Sequence, residues 1–128
     1  MSYYFSKTLT TGFDRAVDLV KETMKTEGFG VVSEIDMQAK LKEKLGVDFK
    51  RYTILGACSP AFAYKALQLE DKIGTMLPCN FVIIDQGDGK TEVAAVHPVA
   101  SMKGVENPAM EPLAMEVTEK LERIIQRL

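Results

Sequence analysis

The chain has 128 residues and a formal net charge of −2, from 16 basic and 18 acidic side chains, which fits one domain, residues 1–128, around a single core. Apolar residues at 46% and charged residues at 27% exclude a disordered chain, and no stretch is apolar enough to suggest a membrane span. A nearly balanced charge gives no general attraction to a phosphate backbone or an anionic bilayer, so neither nucleic acid nor membrane is an expected partner.

The opening Met1-Ser2-Tyr3-Tyr4-Phe5 lacks a basic stretch followed by an apolar one. No secretory signal is expected from it, the expected location is the cytoplasm, and in that reducing compartment the two cysteines stay as thiols. Aromatic and Thr residues from Tyr3 to Leu9 predict a first strand, left through the turn Thr10-Thr11-Gly12. Phe13, Ala16, Val17, Val20 and Met24 then recur at helical spacing, with Asp14, Asp18, Lys21 and Glu22 on the opposite face, and Gly28 stops the helix. Alternation from Gly30 to Ile35 predicts a second strand with Val31, Ser33 and Ile35 on one face and Val32 and Glu34 on the other. Asp36 caps a short helix whose Met37, Leu41 and Leu45 share a side, and Gly46 ends it.

Phe49 to Cys58 reads as the third strand, and Ser59-Pro60 as a helix start, because Ser caps well and Pro fits the first helical position. Phe62, Ala66, Leu69 and Ile73 form a buried stripe if that helix runs past Glu70. Cys79 to Asp85 and Thr91 to His97 are strands of a hairpin turning through Gln86-Gly87-Asp88-Gly89-Lys90. After a loop with Gly104, Asn107 and Pro108, the last helix carries the stripe Leu113, Val117, Leu121, Ile124, Ile125 and Leu128. Its outer side pairs Glu116 with Lys120 and Glu119 with Arg123. The sum is an α+β fold: a curved, mainly antiparallel five-stranded sheet covered by helices on one face, with a long C-terminal helix. The third strand is apolar on both faces, which implies a central position or a partner subunit.

Three segments stand out together: residues 27–36, EGFGVVSEID; residues 54–60, ILGACSP; and residues 77–80, LPCN. With these motifs in order and register, the chain resembles the bacterial and archaeal family known as domain of unknown function 302. The resemblance implies a small α+β domain, often a homodimer, with no established activity. The family pattern commonly has Asn after the first motif cysteine. Ser59 stands there in this chain, keeping a helix cap but not a side-chain amide.

The chemistry-bearing residues cluster in these motifs. Cys58 lies just before a predicted helix N-terminus, where free N–H groups favour a thiolate, which makes it a candidate nucleophile or metal ligand. Cys79 begins the next strand; for both thiols the plain alternative is a small apolar residue filling space. His97, the only histidine, together with Cys58 and Cys79 would give three zinc ligands, completed by Glu34 or water, but without CxxC or HxxxH spacing the set depends on tertiary convergence. Glu34, a carboxylate inside a sheet, is a candidate acid, base or ligand anchor, against an ion pair with Lys7, Arg51 or a partner subunit. Met102, Met110 and Met115 read as gap fillers or interface residues.

The leading expectation is a homodimeric binding module whose groove, lined by Glu34, Cys58, Cys79 and Asn80, holds a small ligand or a metal ion. Two alternatives accompany it: a thiol-dependent enzyme using Cys58, and a purely structural interaction domain whose apolar sheet face is a subunit interface.

Overall fold

The alternating and helical patterns are realised in a computed structural model that describes residues 2–128. Its strands are β1 (Tyr4–Leu9), β2 (Gly30–Asp36), β3 (Tyr52–Cys58), β4 (Cys79–Gly87) and β5 (Lys90–Val96). Its helices are α1 (Phe13–Lys25), α2 (Met37–Leu45), α3 (Pro60–Leu69), α4 (Pro98–Ser101) and α5 (Glu111–Arg127), with 3-10 turns over Asp71–Met76 and Pro108–Met110. The strands form one sheet in the order β1-β5-β4-β3-β2, and every neighbouring pair is antiparallel. The fold is thus the α+β, five-stranded antiparallel arrangement expected from the sequence, ending in its longest helix. No helix among the described residues is long and apolar enough to cross a membrane.

One face of the sheet is buried under α1 and α5. Leu55, Phe81, Ile83 and Val93 pack there against Val20 and Met24 of α1 and Leu121 and Ile124 of α5, all fully buried. Removing such surfaces from water is the main drive to fold, about 25 cal/mol per Å² of apolar area. Glu27, just beyond α1, ties the two helices together: only 7% of its side chain is exposed, and it accepts from Arg123 Nε and Nη2 at 3.2 and 3.0 Å and from Arg127 Nη1 at 2.6 Å. These contacts hold the Glu27 carboxyl below the usual glutamate range, the Arg123 hydrogen bonds foremost. The surface pairs expected within α5 give way to this arrangement, because Lys120, Arg123 and Arg127 all reach towards Glu27.

The opposite sheet face has no helical cover. Tyr52 and Ile54 of β3, Val82 and Ile84 of β4, and Ala94 and Val96 of β5 line it, with Ile35 and Tyr4 on the edge strands. β3 is therefore an interior strand with two apolar faces, only one of which is buried by α1 and α5. α2 is held by its ends: Asp36 Oδ1 accepts from Ala39 N at 2.9 Å, and Gly46 turns through φ 68°, in the left-handed region. Not one of its nine residues is buried, and Leu45 is 69% exposed.

Three local expectations change. A β-bulge between Val31 and Ser33 puts Val31 opposite Ala57 but Ser33 opposite Gly56, so Ser33 and Ile35 share the uncovered face while Val31 and Glu34 lie on the helical side. Strict period-two counting has no place for the extra residue. α3 stops at Leu69 and does not run past Glu70; Ile73 is still buried, from the 3-10 turn, whereas Leu69 is exposed. The loop after β5 contains α4, whose first turn is started by His97 and Pro98.

Candidate functional site

The three sequence motifs lie on adjacent strands β2, β3 and β4 and meet at Gly56. A Cβ there would lie 2.2 Å from Ser33 Oγ and 2.6 Å from Pro78 Cγ, so the missing side chain makes room for the proline ring on the uncovered face. Pro78 follows a cis peptide bond from Leu77. Immediately after it, Cys79 pairs across the ladder with Ala57 and turns to the helical side. Motif residues that look chemical in the sequence are thus partly explained by this close approach of backbone to ring.

Cys79 is 8% exposed, and burial, with the neighbouring Cys58 adding to it, pushes its thiol up to about 11. Burial therefore holds it as a protonated thiol at neutral pH. Cys58 is half-buried where β3 gives way to α3, and both cysteines are free. Ser59 occupies the N-cap position, buried, but its side chain makes no capping hydrogen bond.

The two cysteines line one cavity of about 50 Å³ at the end of the sheet. Phe29, Ala57 and Val117 of the main core form one part of its wall, and Ala66, Met102, Met110 and Leu113 of a smaller second core form another. The cavity occupies the seam between these two clusters, and apart from the thiols no titratable side chain lines it. Beside it, along the segment from Val99 to Ala114, opens a cleft of about 480 Å³ whose lining includes Lys103, Glu106, Asn107 and Glu111. Met102, Met110 and Ala114 line both spaces and form their common wall.

The other candidates lie elsewhere. Glu34 pairs opposite Leu55 and binds Lys21 Nζ at 2.8 Å, and it does not line the cavity; its partner is Lys21 of α1, not Lys7 or Arg51. Arg51 instead donates to Asp14 Oδ1 at 2.6 Å, which holds the Asp14 carboxyl below its ordinary value. Asn80 pairs opposite Gly56, exposed on the uncovered face. His97 stacks on Phe5, centroids 4.7 Å apart, and its Nδ1 accepts from Ala100 N at 3.4 Å as the α4 cap. The groove expected from Glu34, Cys58, Cys79 and Asn80 therefore divides, and only the cysteine pair shares a space. Among the described residues no group of three or more His, Cys, Asp and Glu side chains could hold a metal, so Cys58, Cys79 and His97 do not assemble the zinc set the sequence suggested.

Met102 and Met110, which the sequence presents as gap fillers, are the residues that join cavity to cleft. Only the Pro and Asn turn signals around them hint that this loop folds back over α5.

An open antiparallel sheet with one helical layer and an apolar seam at its end defines a small α+β domain with a single-layer cover. Its sequence pattern matches the family described as Domain of unknown function DUF302 over residues 5–128, and the chain belongs to that family. It is similar to the crystal structure of an uncharacterised conserved DUF302 protein from Bacillus stearothermophilus, with 28% sequence identity and a TM-score of 0.90, covering 99% of this chain and 98% of that one. No curated protein matches the chain.

Proposed function

We propose that the chain is a homodimeric small-ligand-binding module whose ligand occupies the cleft beside α4 and reaches with an apolar end towards the cysteine-lined cavity. The observation that carries this reading is the pairing of the two spaces across Met102, Met110 and Ala114. The cleft, at about 480 Å³, has the size of a small-molecule site, and its lining combines apolar side chains with a few polar and charged ones. The cavity of about 50 Å³ admits only a methyl-sized group or a few waters, so it serves as the inner end of the site and not as the whole of it.

The dimer is supported by the uncovered face. Tyr52, Ile54, Val82 and Ile84 are half-exposed apolar side chains on it, beside Asn80 and Glu92, and none of the nine residues of α2 is fully buried within one chain. Isolated helices of that length are marginal in water, so packing by a second copy accounts for both features. This face lies on the other side of the sheet from α1 and α5, which leaves the cleft free in the dimer.

The test uses 8-anilinonaphthalene-1-sulfonate, an apolar aromatic body for the apolar lining with one sulfonate that suits the Lys103 ammonium. Saturable binding to one site per chain, lost in Ala114→Phe, supports the cleft; unchanged binding to a folded Ala114→Phe protein contradicts it.

A further inference from the structure

Sulfur is concentrated in the cavity in a way its size does not require. Two thiols, Cys58 and Cys79, and two thioethers, Met102 and Met110, line one space of about 50 Å³, with no imidazole, carboxylate or ammonium among the other lining side chains. Thiolate and thioether donors are soft and select a soft ion such as Cu(I). Zinc commonly takes four donors from Cys, His and carboxylate, and thioethers are poor substitutes for these.

We infer that the cavity is a site for a soft monovalent metal ion, Cu(I) or its analogue Ag(I), held by Cys58, Cys79, Met102 and Met110. This deepens the proposed function by assigning the inner end of the same site, and it rests on that space being open to a ligand.

Charge and access both favour a monovalent ion. An apolar cavity penalises net charge, and one cation with one thiolate is neutral, the thioethers adding donors without charge. Binding exchanges the thiol proton for the metal: one S–H bond breaks, one sulfur–metal bond forms, and the proton leaves to solvent with no change of oxidation state. The metal supplies the driving force that burial otherwise denies to thiolate formation. Met102 and Met110 belong to the cleft as well as to the cavity, so an ion passes from the cleft to the cysteines along thioether sulfur. Their three rotatable bonds let them follow the ion inward.

The experiment offers anaerobic, fully reduced full-length protein Cu(I) from its bicinchoninate complex and reads the loss of that complex's colour. Native mass spectrometry counts the ions per chain. The expected result is one Cu(I) per chain, abolished in Cys79→Ser and weakened at least roughly tenfold in Met102→Leu and Met110→Leu, the scale on which metal sites respond to losing a supporting group. The Leu variants preserve apolar volume, so their effect reads donor chemistry and not folding. Uptake that Met102→Leu and Met110→Leu leave unchanged, or no uptake by the wild-type protein, overturns the metal site. Sulfonate dye binding measured on the same samples separates the two readings, because it survives in the Leu variants if the cleft binds ligands and the metal site alone is wrong.

Discussion

Gly56→Ala tests the account of the motifs at the atom where they meet. The new Cβ would stand 2.2 Å from Ser33 Oγ and 2.6 Å from Pro78 Cγ, against ordinary contacts of roughly 3.4–4 Å between such atoms. Ser33 Oγ escapes by rotating about χ1. The proline ring does not, since its conformation is fixed by the backbone, so the start of β4 must move outward by roughly 1 Å to restore contact. Overpacking of this kind costs about 1–3 kcal/mol. For a domain of 128 residues, a loss near 2 kcal/mol lowers Tm by roughly 5–10 °C. Urea unfolding read by circular dichroism measures it, with the midpoint falling and the slope unchanged. The double variant Ser33→Ala with Gly56→Ala recovers little, because the ring contact remains. If Gly56→Ala falls within about 0.5 kcal/mol of wild type, the range of neutral surface changes, the close approach is not a determinant of the fold.

Three further outcomes follow from the same structure. Glu27→Gln removes the charge that joins α1 to α5 and lowers stability by about 1–2 kcal/mol, a value reduced by the exposure of its arginine partners. Because the folded-state pKa of Glu27 is depressed, that contribution is complete above the ordinary glutamate value and is lost as pH falls through the lower folded one; denaturation curves of wild type and Glu27→Gln should differ at neutral pH and converge in acid, and a constant gap would refute the assignment. At pH 8, a disulfide reagent such as dithiobis-nitrobenzoate should modify Cys58 well before Cys79, whose thiol is pushed up to about 11 and buried; equal rates in the Cys58→Ser and Cys79→Ser proteins would contradict the burial argument. Val82→Arg, on the uncovered sheet face, should convert a particle of twice 14.2 kDa to the single-chain mass in size-exclusion chromatography with light scattering, and a dimer that persists would place the interface elsewhere.

The element order was legible because each element carries its own local signal. Asp36 and Gly46 bracket α2, Pro60 opens α3 after Ser59, which holds the N-cap position without a side-chain capping bond, and the glycines around Asp88 turn the hairpin. The faces were less legible where backbone irregularity intervenes. The bulge after Val31 moves Val31 to the side opposite Ser33, and no propensity marks it. The candidate site was half visible. Cys58 and Cys79 come together because β3 and β4 are ladder neighbours, a pairing that follows from topology. Asn80 does not join them because it takes the uncovered side of the sheet, and Glu34, although on the helical side, stands opposite Leu55 and pairs with Lys21. Met102 and Met110 enter only because the loop after β5 folds across α5, a long-range arrangement for which apolar residues in a loop are a weak signal.

The central claim, that the cleft and its sulfur-lined inner end form one ligand site, is tested most directly by methyl NMR of protein labelled at its seven methionines. On titration with 8-anilinonaphthalene-1-sulfonate, saturable shifts are expected for Met102 and Met110, which line both spaces, while Met24, buried on the inner face of α1, keeps its resonance. Binding that shifts other methionines and leaves Met102 and Met110 unmoved would contradict it.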